Sequence, residues 1–380
     1  NGGYGGNHNR DGGGGGGGRI AIHYNTGGLS DPGSSQVNGG SGQHNGATGS
    51  VGTLVFIHHT DGVSSNYDNA SLYVYHGWQW DASNEGTYLS FEAYNGTKVS
   101  GPDIDDYSFT FSNYYNLSDN AIWTIPSENG TLTTNNLTLS AGSQIAISAS
   151  NFNIIANSSA DLTQASITAD SSLTVGGSSS WSLTGSSING NISGSMGNLN
   201  ISSDSNLNAN GYGYGSEMGP GAGGRGGGSG AGGGGGHGGA GGNGSSGGAG
   251  GISNDDPNAP ADMGSGGGKG NNGSAYGGAG GGLISLNIAG IFTLDGVVYA
   301  DGTNGGTSGY EGGGGGAGGG IYIITNELQG AGSFEADGGD GGNYTNNGFG
   351  ALTIYPTDQA NGKIVLQFLE FEVEYQSTCG

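Results

Sequence analysis

Positive charge is nearly absent from this chain of 380 residues. Arg10, Arg19, Lys98, Arg225, Lys269 and Lys363 are its basic side chains, against 30 acidic ones, and the formal net charge is −24. Nucleic acid is excluded as a partner, because neutralising a phosphate backbone needs clustered Lys and Arg. Anionic membrane surfaces are excluded by the same reasoning. Cysteine occurs once, as Cys379, so no internal disulfide framework exists. A lone cysteine one residue from the end either pairs outside this stretch or in another chain, or stays a free thiol. No run of 18 apolar residues is present, so no membrane-spanning helix and no membrane insertion are expected. No segment of ten residues carries a helical period, so almost no helix is expected. The chain opens at Asn1, without Met or a secretory leader and inside what reads as a repeat. It is therefore expected to be a processed or trimmed piece of a longer protein.

Glycine is what the chain has instead: 93 residues, several times the usual share of about 7%. The glycines are segregated into runs, and the runs end in short apolar strands. Gly12–Gly18 leads into Arg19-Ile20-Ala21-Ile22, Gly277–Gly282 into Leu283-Ile284-Ser285-Leu286, Gly312–Gly320 into Ile321-Tyr322-Ile323, and Gly348–Gly350 into Ala351–Tyr355. A unit recurring in this way marks a stacked architecture whose repeats complete their cores against one another. Runs this pure can pack as extended left-handed threefold helices, because chains without Cβ atoms approach closely and bond through the backbone. A disordered loop is the alternative for 211–282.

Six stretches follow from composition. Residues 1–62 are a glycine-rich arm and first strands, including Val51–His58. Residues 63–127 hold 14 of the 33 aromatic residues, with a period of two at Leu72–Tyr75 and Tyr107–Phe111; they read as a β insertion, either a separate lobe or wider turns of the same stack. Residues 128–210 alternate Ile, Leu and Val with Ser, Thr and Asn at spacings too short for ordinary hairpins. That fits a parallel β-helix with apolar side chains inward and polar ladders outward. Residues 211–282 are the long glycine-rich segment. Residues 283–369 return to strands, with Gly282-Leu283-Ile284 echoed at Gly320-Ile321-Tyr322 and Ala300-Asp301-Gly302 at Ala336-Asp337-Gly338. Residues 370–380 form an acidic tail. The fold class is thus all-β, a parallel β-helix or solenoid with packed polyglycine segments and an aromatic-rich β insertion.

The glycine runs with Arg19-Ile20-Ala21-Ile22, the Ala-Asp-Gly units, Gly219-Pro220-Gly221 and Gly236-His237-Gly238-Gly239 resemble the glycine-rich cell-surface proteins of algae, protists and plants. Those look like pectin-lyase-type parallel β-helices. A weaker resemblance is to the filament glycoproteins of flagellar hairs, the mastigonemes. The resemblance covers 1–24 and 211–355, not the aromatic stretch, and implies an extracellular structural or adhesive role.

Catalytic residues are not expected. Pectin-degrading β-helices carry Asn-Thr-Asp, Asp-Asp, Gly-His-Gly and Arg-Ile-Lys; Thr60-Asp61-Gly62, Asp105-Asp106 and Gly236-His237-Gly238 match the first three in order only, and the fourth has no equivalent. The spacings are too long, and the two carboxyl groups of a glycoside hydrolase must stand within about 5–10 Å. No metal site is expected either. His58 and His59, with His44 or His76, make a poor chelate, since neighbours on a strand face opposite ways. Asp295, Asp301, Asp337 and Asp340 stand at glycine turns; calcium is the one cofactor such turns would suit, and ordinary turn chemistry explains them equally. Tyr75, Trp78 and Trp80 are candidates for stacking on sugars, or for a β core that needs large residues.

Asn-X-Ser/Thr occurs at Asn69, Asn95, Asn116, Asn129, Asn136, Asn157, Asn191, Asn200, Asn243, Asn272 and Asn343. These sequons predict covalent N-glycans on an extracellular or cell-surface protein. The expected function is a structural subunit of an extracellular filament or coat whose partners are copies of itself, joined through the ends 1–18 and 370–380. An adhesin or carbohydrate-binding module acting through 63–127 is the alternative. Ice binding by the polar ladders of 130–205 is a third idea.

Overall fold

The computed structural model describes residues 14–342, apart from 28–34, 42–46, 51, 61–68, 81–85, 95, 102–106, 127–128, 149–150, 178–179, 229, 272–274 and 309–310. Among the described residues there is no helix, and the protein is all-β. The expected strands at 351–355 and 363–368 and the acidic tail lie outside the described residues.

Three parallel ladders organise the sheet. In the first, Phe109 pairs Leu132, then Ile154, Val175, Gly194, Leu286 and Ile323 in succession. In the second the row is Tyr115, Leu137, Ala160, Trp181, Leu199, Phe292 and Leu328. In the third it is Val99, Trp123, Ile145, Ile167, Ile188, Leu207, Val298 and Phe334. Side-chain bonds between neighbouring strands of the central region join residues 18 to 24 apart.

Alternation in the sequence produces this arrangement directly. Along the strand Gly130–Ser140 buried and half-buried residues take turns on both sides of one irregular point. At that point, as at Phe111/Tyr114, Ala156/Ser159 and Ile288/Ile291, the register shifts and the chain bends from the first ladder into the second. Two short strands therefore merge into one long one, such as Asn151–Thr163, where the sequence suggests separate short strands. The next corner uses left-handed residues: Asn120 at φ +62°, Ala141 at +51°, Gln164 at +49°. A small buried residue follows each such corner, Ala121, Ser143 and Ala165 among them.

One continuous cluster of buried side chains runs from Val55 to Ala300. The aromatic stretch is part of it. Tyr88, Phe91, Phe109, Phe111, Tyr115 and Trp123 fill the same interior as Leu132 and Ile154, and the strands Gly86–Ala93 and Tyr107–Leu117 pair in parallel with the rest. Of the two readings of 63–127, a separate lobe is therefore set aside, because its large rings are what fill the shared core. The sheet reverses direction once in this region, where Thr53–His59 meets Ala70–Val74 antiparallel.

After Asn206–Asn208 the chain leaves the sheet and returns at Leu283–Leu294, whose Ile284 pairs Ile192. A second excursion follows Val297–Tyr299 and ends at Gly320–Gln329. Equivalent residues here stand 36 apart, in keeping with the repeated Ala-Asp-Gly units.

Candidate functional site: the polyglycine bundle

The glycine-rich excursions pack on one another. Backbone bonds between them recur at every third residue. Gly232 and Gly235 donate to Gly312 and Gly315. Gly278 and Gly281 donate to Gly314 and Ala317. Gly313, Gly316 and Gly319 donate to Gly306, Thr303 and Ala300. Gly302 and Gly305 do the same to Asp337 and Asp340. Three residues per turn is the repeat of a polyproline II helix, which has no internal hydrogen bonds and so offers its backbone to neighbours. A smaller set of the same kind joins Gly14 to Ala47 and Gly17 to Ser50 near the first strand.

Glycine is required here by distance. A Cβ on Gly314 would lie 1.9 Å from the carbonyl oxygen of Gly233, and one on Gly233 would lie 2.0 Å from that of Ala249. On Gly316 the distance to the Ala279 oxygen would be 1.9 Å. Each obstacle is backbone, so no flexible side chain can move aside.

Side-chain amides and carboxylates moor the bundle to the sheet. Asn191 accepts from the Leu283 N–H at 2.8 Å and donates to the Tyr212 carbonyl at 2.8 Å, holding both ends of the long excursion. Asn210 accepts from the Asp301 N–H at 2.6 Å, and Asp301 in turn accepts from the Asp337 N–H at 2.7 Å. Asn304 accepts from the Asp340 N–H, and Asp295 from the Ala331 N–H. The turn aspartates named as calcium candidates thus spend oxygens of Asp295 and Asp301 on the backbone of the next repeat. Asn191→Ala is expected to cost about 1–3 kcal/mol, since a backbone N–H and a backbone C=O lose their partner. Chemical denaturation measures the loss, and faster exchange of the Leu283 amide localises it.

No family model, no curated protein and no solved structure matches this chain. Function therefore has to be argued from its own residues.

Charge inside the bundle is sparse and paired. Arg225 makes a two-pronged contact with Glu217 at 2.8 and 2.9 Å, and Lys269 approaches the same carboxylate at 3.5 Å. The Arg225 hydrogen bond is the largest influence on the Glu217 carboxyl; burial opposes it, and with the charges of Arg225 and Lys269 added the carboxyl stays below its usual range. Lys269 also lies over the Tyr276 ring, 4.8 Å from its centroid.

The candidate sugar-stacking residues separate. Trp80 is 1% exposed and enclosed by aromatic rings, so it belongs to the core and offers no platform. Trp78 is half-buried and meets Trp80 edge-on, whereas Tyr75 stacks on Tyr94 at 5.1 Å. The three do not share one exposed face.

Among the sequons, Asn69, Asn157, Asn200 and Asn243 are exposed, and Asn116, Asn129, Asn136 and Asn191 are half-buried. Asn95, Asn272 and Asn343 lie outside the described residues, as do Cys379, Asp61, Asp105, Asp106 and His44.

His58 bonds the Asn25 carbonyl, while His59 turns inward to His23 with 2.9 Å between nitrogens. Those two rings lie 15° from parallel with centroids 5.1 Å apart. That is the separation of two side-by-side rings joined by one in-line N–H···N bond, and leaves no room for an ion between them. Burial, then the neighbouring His23 and His58, lowers the His59 pKa. Among the described residues no group of three His, Cys, Asp or Glu could hold a metal ion.

A shallow groove of about 470 Å³ runs past Gln144, Gln164, Ser166, Ser187, Asp204 and Asn206. Asp204 accepts from Ser202 and from the Gly185 N–H, which lower its pKa. It faces no second titrating side chain in that lining. The half-buried Asn moorings are what sequence reading misses; a sequon signal conceals Asn191, and a loop composition conceals Asn210.

Proposed function

We propose that this protein is a structural subunit of an extracellular glycoprotein filament or surface coat, built on a parallel β-helix and assembling with copies of itself through its ends and free strand edges. One observation carries the reading: the polyglycine chains are packed and cross-bonded rather than loose. A bundle of chains locked through their backbones resists extension. The strand Arg19–Tyr24 bonds a neighbour on one side alone among the described residues. An open parallel edge of that kind favours end-to-end growth. The net charge of −24 keeps non-specific association low.

Negative-stain imaging of native material, with amide exchange over 211–282, tests the reading. Regular filaments and slow exchange are expected; isolated monomers with fast exchange throughout that stretch would overturn it. Glycopeptide mass spectrometry adds a second check. Glycans are expected at Asn157 and Asn200, and not at Asn191, whose amide is engaged on both sides.

A further inference from the structure

We propose that His237 and Asp255 form a proton-operated latch between the 252–262 loop and the polyglycine bundle, closed while the imidazole carries two protons and released when it loses one. The inference rests on this pair alone and stands apart from the filament reading.

His237 is 5% exposed, in the midst of a glycine run. Its Nδ1 lies 3.1 Å from the Gly318 carbonyl oxygen, and its Nε2 lies 3.2 Å from Asp255 Oδ2. Both partners are acceptors only, so both contacts need an N–H. A neutral imidazole has one N–H, and in either tautomer one lone pair would then face an oxygen. The cation satisfies both, and a buried cation needs a charge beside it. Asp255 supplies that charge.

Asp255 is also the hub of its loop. Its carboxylate accepts from the N–H groups of Asp256 at 2.8 Å and of Ala261 and Asp262 at 2.9 Å. Its backbone sits at φ +71°, a region an L-residue adopts at a cost. Burial pushes its carboxyl up, but the N–H groups of Asp262, Asp256 and Ala261 with His237 outweigh that and bring it below the usual range. The loop thus folds around one carboxylate, and His237 ties that carboxylate to Gly318 in the bundle. Asn254 reinforces the seam through its N–H to the His237 carbonyl at 2.7 Å.

The other acidic groups of the loop point elsewhere. Asp262 accepts from the Tyr214 hydroxyl at 2.9 Å, and Asp256 from Asn258. From the bundle side the ring meets the Gly318 carbonyl. The sign follows. Asp255 contributes above the ordinary carboxylate range and loses its share only as pH falls through its depressed value. The ring contributes while both of its nitrogens carry a proton and loses its share once either proton leaves, so the latch closes on the doubly protonated ring and opens on the neutral one.

The test is amide exchange on the intact chain, expressed as protection factors, at about pH 5.5 and about pH 8, the interval histidine titration spans. Protection of the Asn254 amide is expected to fall by about tenfold or more across it, which is a latch worth about 1.4 kcal/mol. The Gly281 amide, bonded within the bundle to Ala317, should keep its protection. Ring ¹⁵N shifts, assigned by their loss in His237→Gln, should show both nitrogens protonated at the lower pH. In His237→Gln the pH dependence at Asn254 should vanish. A neutral His237 ring with Asn254 still protected at the lower pH, or an Asn254 protection that ignores pH in the unaltered chain, would overturn the latch. The second measurement decides the matter even where the variant fails to fold.

Discussion

Gly314→Ala is expected to lower the stability of the protein by about 3 kcal/mol or more, whereas Gly242→Ala is expected to raise it. A methyl group on Gly314 would stand 1.9 Å from the oxygen and 2.3 Å from the carbon of the Gly233 carbonyl. Overpacking a well-filled interior costs about 1–3 kcal/mol, and here the obstacle is main chain, so relief requires the two chains to part. Parting them strains a whole row: Gly314 donates to Gly268, and Gly232 and Gly235 donate to Gly312 and Gly315. Each such bond is worth about 0.5–1.5 kcal/mol net. Gly242 lies in the same bundle, but its Cβ would meet nothing within 4 Å, and its φ is not in the left-handed region. Alanine there restricts only the unfolded chain, a gain of about 0.4–1 kcal/mol. The opposite signs are the test, read by denaturant unfolding of both variants. Equal, small effects would mean that the glycine runs do not pack as closely as these distances state. Gly314 is buried and Gly242 exposed, so a second buried position, Gly316→Ala, checks that the loss follows from the close contact. Its Cβ would meet the Ala279 oxygen at 1.9 Å, and it should behave as Gly314 does.

The sheet is legible in the sequence wherever one face of a strand is apolar. Ile145, Ile167 and Ile188 stand at successive steps of the third ladder, and their alternation with Ser, Thr and Gln announces both the strand and its inward side. The threefold packing of glycine is legible too, because a run without side chains has few other ways to become ordered. Three things are not. The aromatic stretch reads equally as a lobe or as wider turns of the stack, because large rings at a period of two look like any half-buried strand; the pairing of Phe91 with Leu72 and Tyr115 is what places them in the common interior. The reversal between Thr53–His59 and Ala70–Val74 leaves no mark in composition. The moorings Asn191 and Asn210 act across 92 and 91 residues, and no local spacing can encode such a contact. A further signal is present in the residues but easy to overlook. Thr97, Ala121, Ser143, Ala165, Ser186 and Ser205 are small buried residues set at the same corner of successive turns. Most follow a residue suited to the left-handed region, as Gly96, Asn120, Gly142 and Gly185 are. Aligning those corners yields the ladder spacing from the order of residues alone.

Trp80→Ala is expected to cost about 3–5 kcal/mol, the usual penalty for emptying a large aromatic site in a core. The indole lies 4.6 Å from Phe109, 5.3 Å from Tyr88, 5.5 Å from Phe91 and 5.6 Å from Trp78 between ring centroids. The preceding Trp78 and Gln79 pair with Val99 and Ser100, and the Trp80 backbone N–H is bonded to the Ser100 carbonyl, so the surrounding rings have little freedom to collapse inward. Trp80→Phe should cost much less. It keeps a ring among rings, and it removes an indole N–H that is buried without a hydrogen-bond partner, a burden of about 1–3 kcal/mol in the native protein. Tyr75→Ala, at a half-buried ring stacked on Tyr94, should fall between the two. Thermal unfolding ranks the three. The ranking also separates a structural core from a sugar-binding face. A core residue gives a loss of stability that scales with the volume removed and leaves no change in glycan-array signal at temperatures where the variant stays folded. A binding face would give the reverse, an unchanged melting temperature with lost sugar retention in Trp80→Ala, and that result would return the aromatic stretch to recognition rather than support.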